Sequence, residues 1–240
     1  MSGHSKWATT KRQKSVTDAK RAALFTRAAH AITIATREKG GNLDMNFSLR
    51  LAIDRAKEVN MPKENIDKAI KRGTGELVGE HIEELMYEGF GIGGVAILIE
   101  VTTTNKNRSA SDIKHVLTKY GGNLGSTNSV RRIFQKHGTI GIPAHALTDD
   151  FELRLIEAGI LDIQKEGDEI TILTEPQDLQ KIKDLLESWH IHLAFSEFDY
   201  LPHTYVSIED QHTREKLEKL FSELDDIPDI THFYSNLKTV

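Results

Sequence analysis

The 240-residue chain contains 38% hydrophobic and 28% charged residues, which is typical of a globular protein and argues against wholesale disorder. It has no cysteine, which excludes disulfides, thiolate chemistry and cysteine-ligated zinc. No apolar run approaches the roughly 20 residues that span a bilayer, and the first residues lack the apolar core of a secretory signal. We therefore expect a cytoplasmic protein with no membrane partner.

Charge is distributed unevenly along the chain, although the formal net charge is only −5. Residues 1–75 contain 16 Lys and Arg against 7 Asp and Glu, residues 76–140 contain 7 of each, and residues 141–240 contain 8 against 22. Such asymmetry indicates a polyanionic partner for the basic part. The alternative is that these Lys and Arg residues only line solvated helical faces.

Three amphipathic helices are predicted in the basic part, because apolar residues recur there every three or four positions. Ser15 and Asp18 fit a capping box at the start of the first helix. Gly40 follows that helix, Pro62 suits the first turn of the third, and Gly73 ends it. The apolar positions are Leu24, Ala28, Ile32 and Ala35, then Leu49, Ala52, Ile53, Ala56 and Val59, then Ile66, Ala69 and Ile70.

The apolar period changes from about residue 80. The β-branched run from Val95 to Thr103 predicts a buried strand, and a helix over residues 107–120 follows it. Residues 129–202 then show the order βαββαβ, which is ferredoxin-like. The tail supplies one helix and one strand, which cannot form a domain alone.

The predicted fold class is therefore α+β, with three domains. A basic helical bundle occupies residues 1–79. A discontinuous α/β domain, also ferredoxin-like, combines residues 80–128 with residues 203–240. The βαββαβ domain of residues 129–202 is inserted into it.

Two glycine-rich stretches resemble nucleotide-binding motifs but lack the flanking elements or residue order that those motifs require. The stretch GFGIGG from Gly89 to Gly94 matches the dinucleotide pattern, but a strand follows it instead of a helix, so we interpret it as a turn joining two strands. In KRGTGE, Lys71 and Arg72 precede the glycines and suit the last turn of a helix. The eleven histidines form no recognisable ligand set. We therefore expect no enzyme, no cofactor and no metal site.

Cations therefore supply the candidate site, which we predict to bind nucleic acid. Trp7 would stack on a base or pack under the basic arm of residues 1–14, which contains no carboxylate. Lys106 and Arg108 are expected just before a helix, whose free N–H groups favour anions. Ordinary capping of that helix by Asn107 or Ser109 is the alternative. The predicted nucleic-acid-binding residues are Lys6, Trp7, Lys11, Arg12, Lys14, Lys20, Arg21, Arg27, Lys71, Arg72, Lys106 and Arg108.

Several ordered motifs between residues 2 and 140 resemble the YebC family. They are GHSKWA near the start, NMPKENIDKAIKRGTGE at 60–76, YEGFGIGGVA at 87–96, NKNRSASD at 105–112, GGNLG at 121–125 and FQKHG at 134–138. The resemblance implies a three-domain cytoplasmic bacterial protein with a role linked to nucleic acid. The family is usually described as probable DNA-binding transcriptional regulators. Some members, and their mitochondrial relatives, act on the ribosome and relieve stalls at proline-rich stretches.

The chain departs from the family pattern at a few positions. After GHSKWA the family usually has Asn-Ile-Lys-His-Arg-Lys, where this chain has residues 9–14, TTKRQK, so point contacts at 12 and 13 do not transfer. Thr104 stands where Asp is frequent, and Asn128 stands where Gly is common. These departures affect the transfer of single contacts and leave the resemblance intact.

The sequence thus favours a non-enzymatic nucleic-acid-binding regulator, with DNA and transcription as the first choice. A ribosome-associated translation factor that contacts structured ribosomal RNA is the second hypothesis. A protein-interaction module whose acidic carboxyl half docks a basic partner is the third. The basic arm suits DNA and RNA equally, since its contacts would be mostly to phosphates.

Overall fold

Three helices form the amino-terminal region of the computed structural model, which describes residues 18–77 and 82–238, with side chains from residue 21. They pack through the apolar stripes expected from the sequence, with Ile32, Leu49 and Ala56 fully buried. Asn46 joins two of the helices: its Oδ1 accepts from Leu49 N, and its Nδ2 donates to Ala35 O at 2.8 Å. The helices are α1 (Asp18–Lys39), α2 (Phe47–Glu58) and α3 (Lys63–Gly73).

The ends of these helices differ slightly from the prediction. Pro62 caps α3 from outside instead of lying in its first turn, because its carbonyl accepts from Asn65 and Ile66. Gly73 is the last residue of α3, and Thr74 follows as its cap. The predicted capping box at Ser15 lies outside the described residues.

The first antiparallel sheet has the strand order β3-β1-β2-β8. The glycine stretch is a turn between two strands, as predicted: Gly91 N donates to Val95 O at 2.8 Å, and Gly93 has φ 76°. Two helices, α4 and α7, contribute Leu117 and Leu220 to the core beneath Ile97. These elements are β1 (Glu83–Phe90), β2 (Ala96–Thr103), α4 (Lys106–Lys119), β3 (Asn123–Leu124), α7 (Gln211–Asp226) and β8 (Ile230–Ser235).

The second antiparallel sheet has the order β5-β6-β4-β7. With two helices in the sequence βαββαβ, this is the ferredoxin-like arrangement expected from the sequence. Ile140 and Ile172 of the sheet are fully buried in one cluster with Leu155 and Leu186 of the helices. The elements are β4 (Phe134–Pro143), α5 (Asp149–Ala158), β5 (Asp162–Glu166), β6 (Glu169–Thr174), α6 (Leu179–Ser188) and β7 (Phe195–Pro202).

The fold is thus α+β, with a helical region and two antiparallel sheets. Among the described residues, 133–204 form one compact unit, and 18–132 with 205–238 form the other. The division into three domains, with boundaries after residues 79, 128 and 202, stays a prediction. None of the helices within residues 18–77 and 82–238 is long and apolar enough to cross a membrane.

Candidate nucleic-acid interface

The basic arm that the sequence singles out lies outside the described residues. This holds for Lys6, Trp7, Lys11, Arg12 and Lys14. The backbone of Lys20 belongs to α1, but its side chain is outside the description. The role of the arm therefore stays a prediction, and the other predicted residues lie in the described part of the chain.

Exposed cations lie at two helix ends. Lys71 and Arg72 lie in the last turn of α3, and Lys106 opens α4. Within the described part of the chain, these three side chains have no hydrogen-bond or ion-pair partner. Lys63 and Lys68, which sequence reasoning did not select, are also exposed on α3 and likewise have none there. These side chains are therefore available to an external anion.

Arg27 has an internal role. Its Nη2 donates to the carbonyl oxygens of Asp225 and Ile227 at 2.6 and 2.7 Å, at the end of α7. Burial lowers the pKa of Arg27, and the charges of Asp225 and Asp226 oppose that effect. The guanidinium stays protonated in either case. The geometry thus assigns Arg27 to docking α1 against α7, although the sequence predicted a phosphate contact.

Lys106 and Arg108 lie inside the first turn of α4 and not before it. The cap is Asn105, whose Oδ1 accepts from Arg108 N at 3.1 Å, instead of Asn107 or Ser109. The Nη2 of Arg108 lies 3.0 and 2.9 Å from the two carboxylate oxygens of Asp229. Arg108 is therefore ion-paired within the chain. The side chain of Lys106, in contrast, has no hydrogen-bond or ion-pair partner among the described residues.

Asp229, the ion-pair partner of Arg108, is buried, with 6% of its surface exposed. Its Oδ2 also accepts from Ser109 Oγ at 2.7 Å and Thr103 Oγ1 at 3.0 Å. Burial alone would raise the pKa of Asp229, but the hydrogen bonds from Ser109, Arg108 and Thr103 outweigh it, and the net shift is downward. Asp229 is thus held as a carboxylate.

The segment 225–229 connects three elements of the same compact unit. It binds Arg27 of α1, and Asp229 O accepts from Thr102 N of β2 at 2.9 Å. Through its side chain Asp229 holds the first turn of α4. The helical region is therefore fixed to the corner of the first sheet. Sequence reasoning missed Asp229 because it is one of several acids in DDIPDI, and nothing local distinguishes it.

Glu88 forms a second buried contact that the sequence did not reveal. Its carboxylate accepts the backbone N–H groups of Asn128, Val130 and Arg131 at 2.8, 2.7 and 2.9 Å. Burial would raise the pKa of Glu88, but these three hydrogen bonds and the charge of Arg131 lower it overall. Asn128 has φ 65°, a left-handed conformation that Gly adopts freely and Asn tolerates, which explains why Asn can replace the usual Gly.

The exposed cations of α3 and Lys106 can bind an anion through their side chains. Across residues 18–77 and 82–238, no group of three or more His, Cys, Asp or Glu side chains could hold a metal ion. The pKa shifts of Glu88 and Asp229 come from structural hydrogen bonds. Both groups are buried and satisfied, so neither is placed to exchange protons with a substrate.

Comparisons with known proteins point to one family. The family model described as the TACO1/YebC protein N-terminal domain matches residues 5–76, and that described as the TACO1/YebC second and third domain matches residues 82–237. A probable transcriptional regulatory protein of Sulfurihydrogenibium sp. (strain YO3AOP1) is 45% identical over 98% of this chain and 95% of its own. One of Chlorobaculum tepidum is 44% identical over 99% and 95%.

A solved structure is similar over nearly the whole chain. The crystal structure of a conserved hypothetical protein from Aquifex aeolicus has a TM-score of 0.86 and 39% identity, and the match covers 98% of this chain and 97% of that one. The motifs of the sequence, the fold and these matches agree, and the chain belongs to the TACO1/YebC family.

Proposed function

We propose that the protein is a non-enzymatic, cytoplasmic nucleic-acid-binding regulator that binds DNA and regulates transcription. The observation that carries this proposal is the set of exposed, unpartnered cations on α3 and at the start of α4, within the described residues. Those on α3 belong to the excess of Lys and Arg in residues 1–75. The names of the relatives, probable transcriptional regulatory proteins, support the regulatory part.

The contacts would be made mainly to phosphates. Base readout in a groove needs a helix face or ribbon that presents side chains matched to base edges. The exposed side of α3 instead alternates Lys68 and Lys71 with Glu64 and Asp67. Contacts of this kind give affinity and position, and little sequence discrimination.

A ribosome-associated translation factor that relieves stalls at proline-rich stretches is the second candidate. The same feature favours it: the described cations suit a structured polyanion without sequence readout. Ribosomal RNA presents such a surface, and RNA helices are recognised mostly by shape and backbone. The two candidates share the basic interface and differ in the ligand.

The test replaces Lys71 and Arg72 with Glu and measures binding to a labelled duplex by fluorescence anisotropy. The matched control, Lys114→Glu with Lys219→Glu, makes the same charge change at two exposed lysines of α4 and α7. We expect the first variant to bind at least about tenfold more weakly and the control to change much less. Equal losses in both variants would mean that only net charge matters, which would contradict the proposed interface.

A competition experiment then separates the two candidates. Labelled promoter DNA is competed with random duplex DNA and with intact ribosomes. A preference for promoter DNA above roughly 10³ supports an operator-reading regulator. Weak preference among duplexes, together with tight binding to ribosomes, supports the translation factor and contradicts the choice of DNA.

A further inference from the structure

Helix α5 exposes two large apolar side chains to solvent. Leu153 is 63% exposed and Ile156 is 57% exposed, whereas Leu155 is fully buried in the core of its unit. Residues three apart are neighbours on a helix surface, so Leu153 and Ile156 lie together on the exposed side of α5. Single exposed apolar residues are ordinary, but a neighbouring pair forms a small apolar surface.

Carboxylates surround this pair. Asp149 and Glu157 are exposed on the same helix and have no side-chain partner among the described residues. Asp149 lies one turn before Leu153, and Glu157 lies one turn after it. We call Asp149, Leu153, Ile156 and Glu157 the α5 patch.

The cations near the α5 patch are already engaged. Arg154 Nη2 lies 3.0 Å from Asp150 Oδ2, and its Cζ lies 6.0 and 5.9 Å from the ring centroids of Phe151 and Trp189. Lys165 Nζ lies 2.8 Å from a Glu152 carboxylate oxygen. Since these cations are used within the unit, they do not neutralise Asp149 and Glu157. The field of the unit is also negative, with 5 Lys and Arg against 14 Asp and Glu in residues 133–204.

We propose that the α5 patch docks a basic amphipathic helix of a partner protein. Apolar side chains of that helix at positions i, i+3 and i+4 would cover Leu153 and Ile156, and its flanking Lys or Arg would meet Asp149 and Glu157. Charge complementarity decides the occupant, because a nucleic acid would be repelled by the same carboxylates. The small apolar area fits a transient contact. This docking is independent of the proposed nucleic-acid binding.

The probe is a synthetic fluorescent helix with Leu at positions i, i+3, i+4 and i+7 and Lys at most others. The comparison peptide has the same composition in scrambled order, without an apolar stripe. Anisotropy titrations with the full chain should show at least about tenfold tighter binding of the amphipathic helix than of the scrambled one. Leu153→Ala with Ile156→Ala should remove that preference and leave weak electrostatic binding. Ala keeps the helix propensity, so α5 should stay folded.

The matched control removes two other exposed apolar side chains, Leu43→Ala and Met45→Ala, which are 44% and 81% exposed in the helical region. It should leave the binding of the amphipathic helix unchanged. A second variant, Asp149→Asn with Glu157→Gln, should weaken binding at low salt. The proposal is overturned if the scrambled peptide binds as tightly as the amphipathic helix. Unchanged binding in the Leu153 and Ile156 variant would also overturn it.

Discussion

Asp229 shows, at the scale of a single residue, how the basic helical region is held. One of its carboxylate oxygens accepts hydrogen bonds from Ser109, Thr103 and Arg108, and the residue is almost completely buried. A buried carboxylate is stable only when such donors replace its water. The sequence predicted Arg108 as a phosphate ligand because the presence of a cation is visible locally, but its partner, about 120 residues away, is not.

Replacing Asp229 by Ala should destabilise the protein by about 2–4 kcal/mol, because it removes the buried carboxylate that accepts from the hydroxyls of Ser109 and Thr103 and pairs with Arg108. Chemical denaturation monitored by circular dichroism would measure the loss. The control is Asp112→Ala, an exposed acid on α4, with an expected change within about 0.5 kcal/mol. Equal stability of the two variants would contradict the assigned role of Asp229.

The lowered pKa of Glu88 predicts that the stability of the protein depends on pH. Its pKa is lowered in the folded protein relative to the ordinary value of 4.5, so ionised Glu88 stabilises the fold above pH 4.5. That stabilisation is lost as the pH falls through the lower, folded pKa. Glu88→Gln should therefore be less stable than the wild type at pH 7, and the difference should shrink below pH 4.5. Urea titrations at a series of pH values would check this. A difference that is independent of pH would exclude the proposed cause.

At the scale of elements, much of the fold could be predicted because the signals are local. The βαββαβ order of residues 134–202 follows from periods of 2 and 3.6 in the apolar residues, which need no long-range information. The turn at Gly91 and Gly93 could be predicted because a strand follows it. The three N-terminal helices were visible for the same reason. Helix caps were placed less well, since Asn105 and Pro62 act through geometry that a pattern does not contain.

The packing of α3 against α1 depends on a glycine. A Cβ at Gly73 would lie 2.5 Å from Thr36 Cβ and 2.6 Å from Thr33 O, which is too close for either neighbour. Gly73→Ala should therefore separate the end of α3, with Lys71 and Arg72, from α1 and cost about 1–3 kcal/mol. Gly41→Ala is the graded control, because its Cβ would meet Thr74 Cγ2 only at 3.3 Å. The midpoint temperature of thermal unfolding should be clearly lower for Gly73→Ala than for Gly41→Ala. The reverse order would contradict the close packing assigned to Gly73.

At the scale of the whole molecule, β8 pairs with β2 although more than a hundred residues separate the two strands in the sequence. The sequence suggested this from the unpaired helix and strand in the tail. It could not show that Arg27 and Asp229 tie the helical region to the same corner, because those contacts depend on the assembled fold. It also did not reveal the α5 patch, since exposure of Leu153 is a property of the folded helix.

The predicted insertion can be tested by deletion. Phe134 and Pro202 are directly paired in the second sheet, so a short linker can replace residues 134–202. Glu88 keeps its partners at 128–131 in this deletion. The remainder should fold, and hydrogen exchange should protect the amides of β2 and β8. Rapid exchange of β8 in the shortened chain would show that the discontinuous domain is not an independent unit.

We propose that the basic amino-terminal part binds nucleic acid through phosphates, so its affinity should depend strongly on the salt concentration. The measurement is the affinity of the full chain for a labelled duplex between 50 and 200 mM salt, with and without Lys11→Glu, Arg12→Glu and Lys14→Glu. About 6–10 phosphate contacts predict a loss of roughly 10³–10⁵ in affinity over that range. The triple variant should bind far more weakly and with a shallower salt dependence. A flat response in the wild type, or unchanged binding by the variant, would contradict the claim.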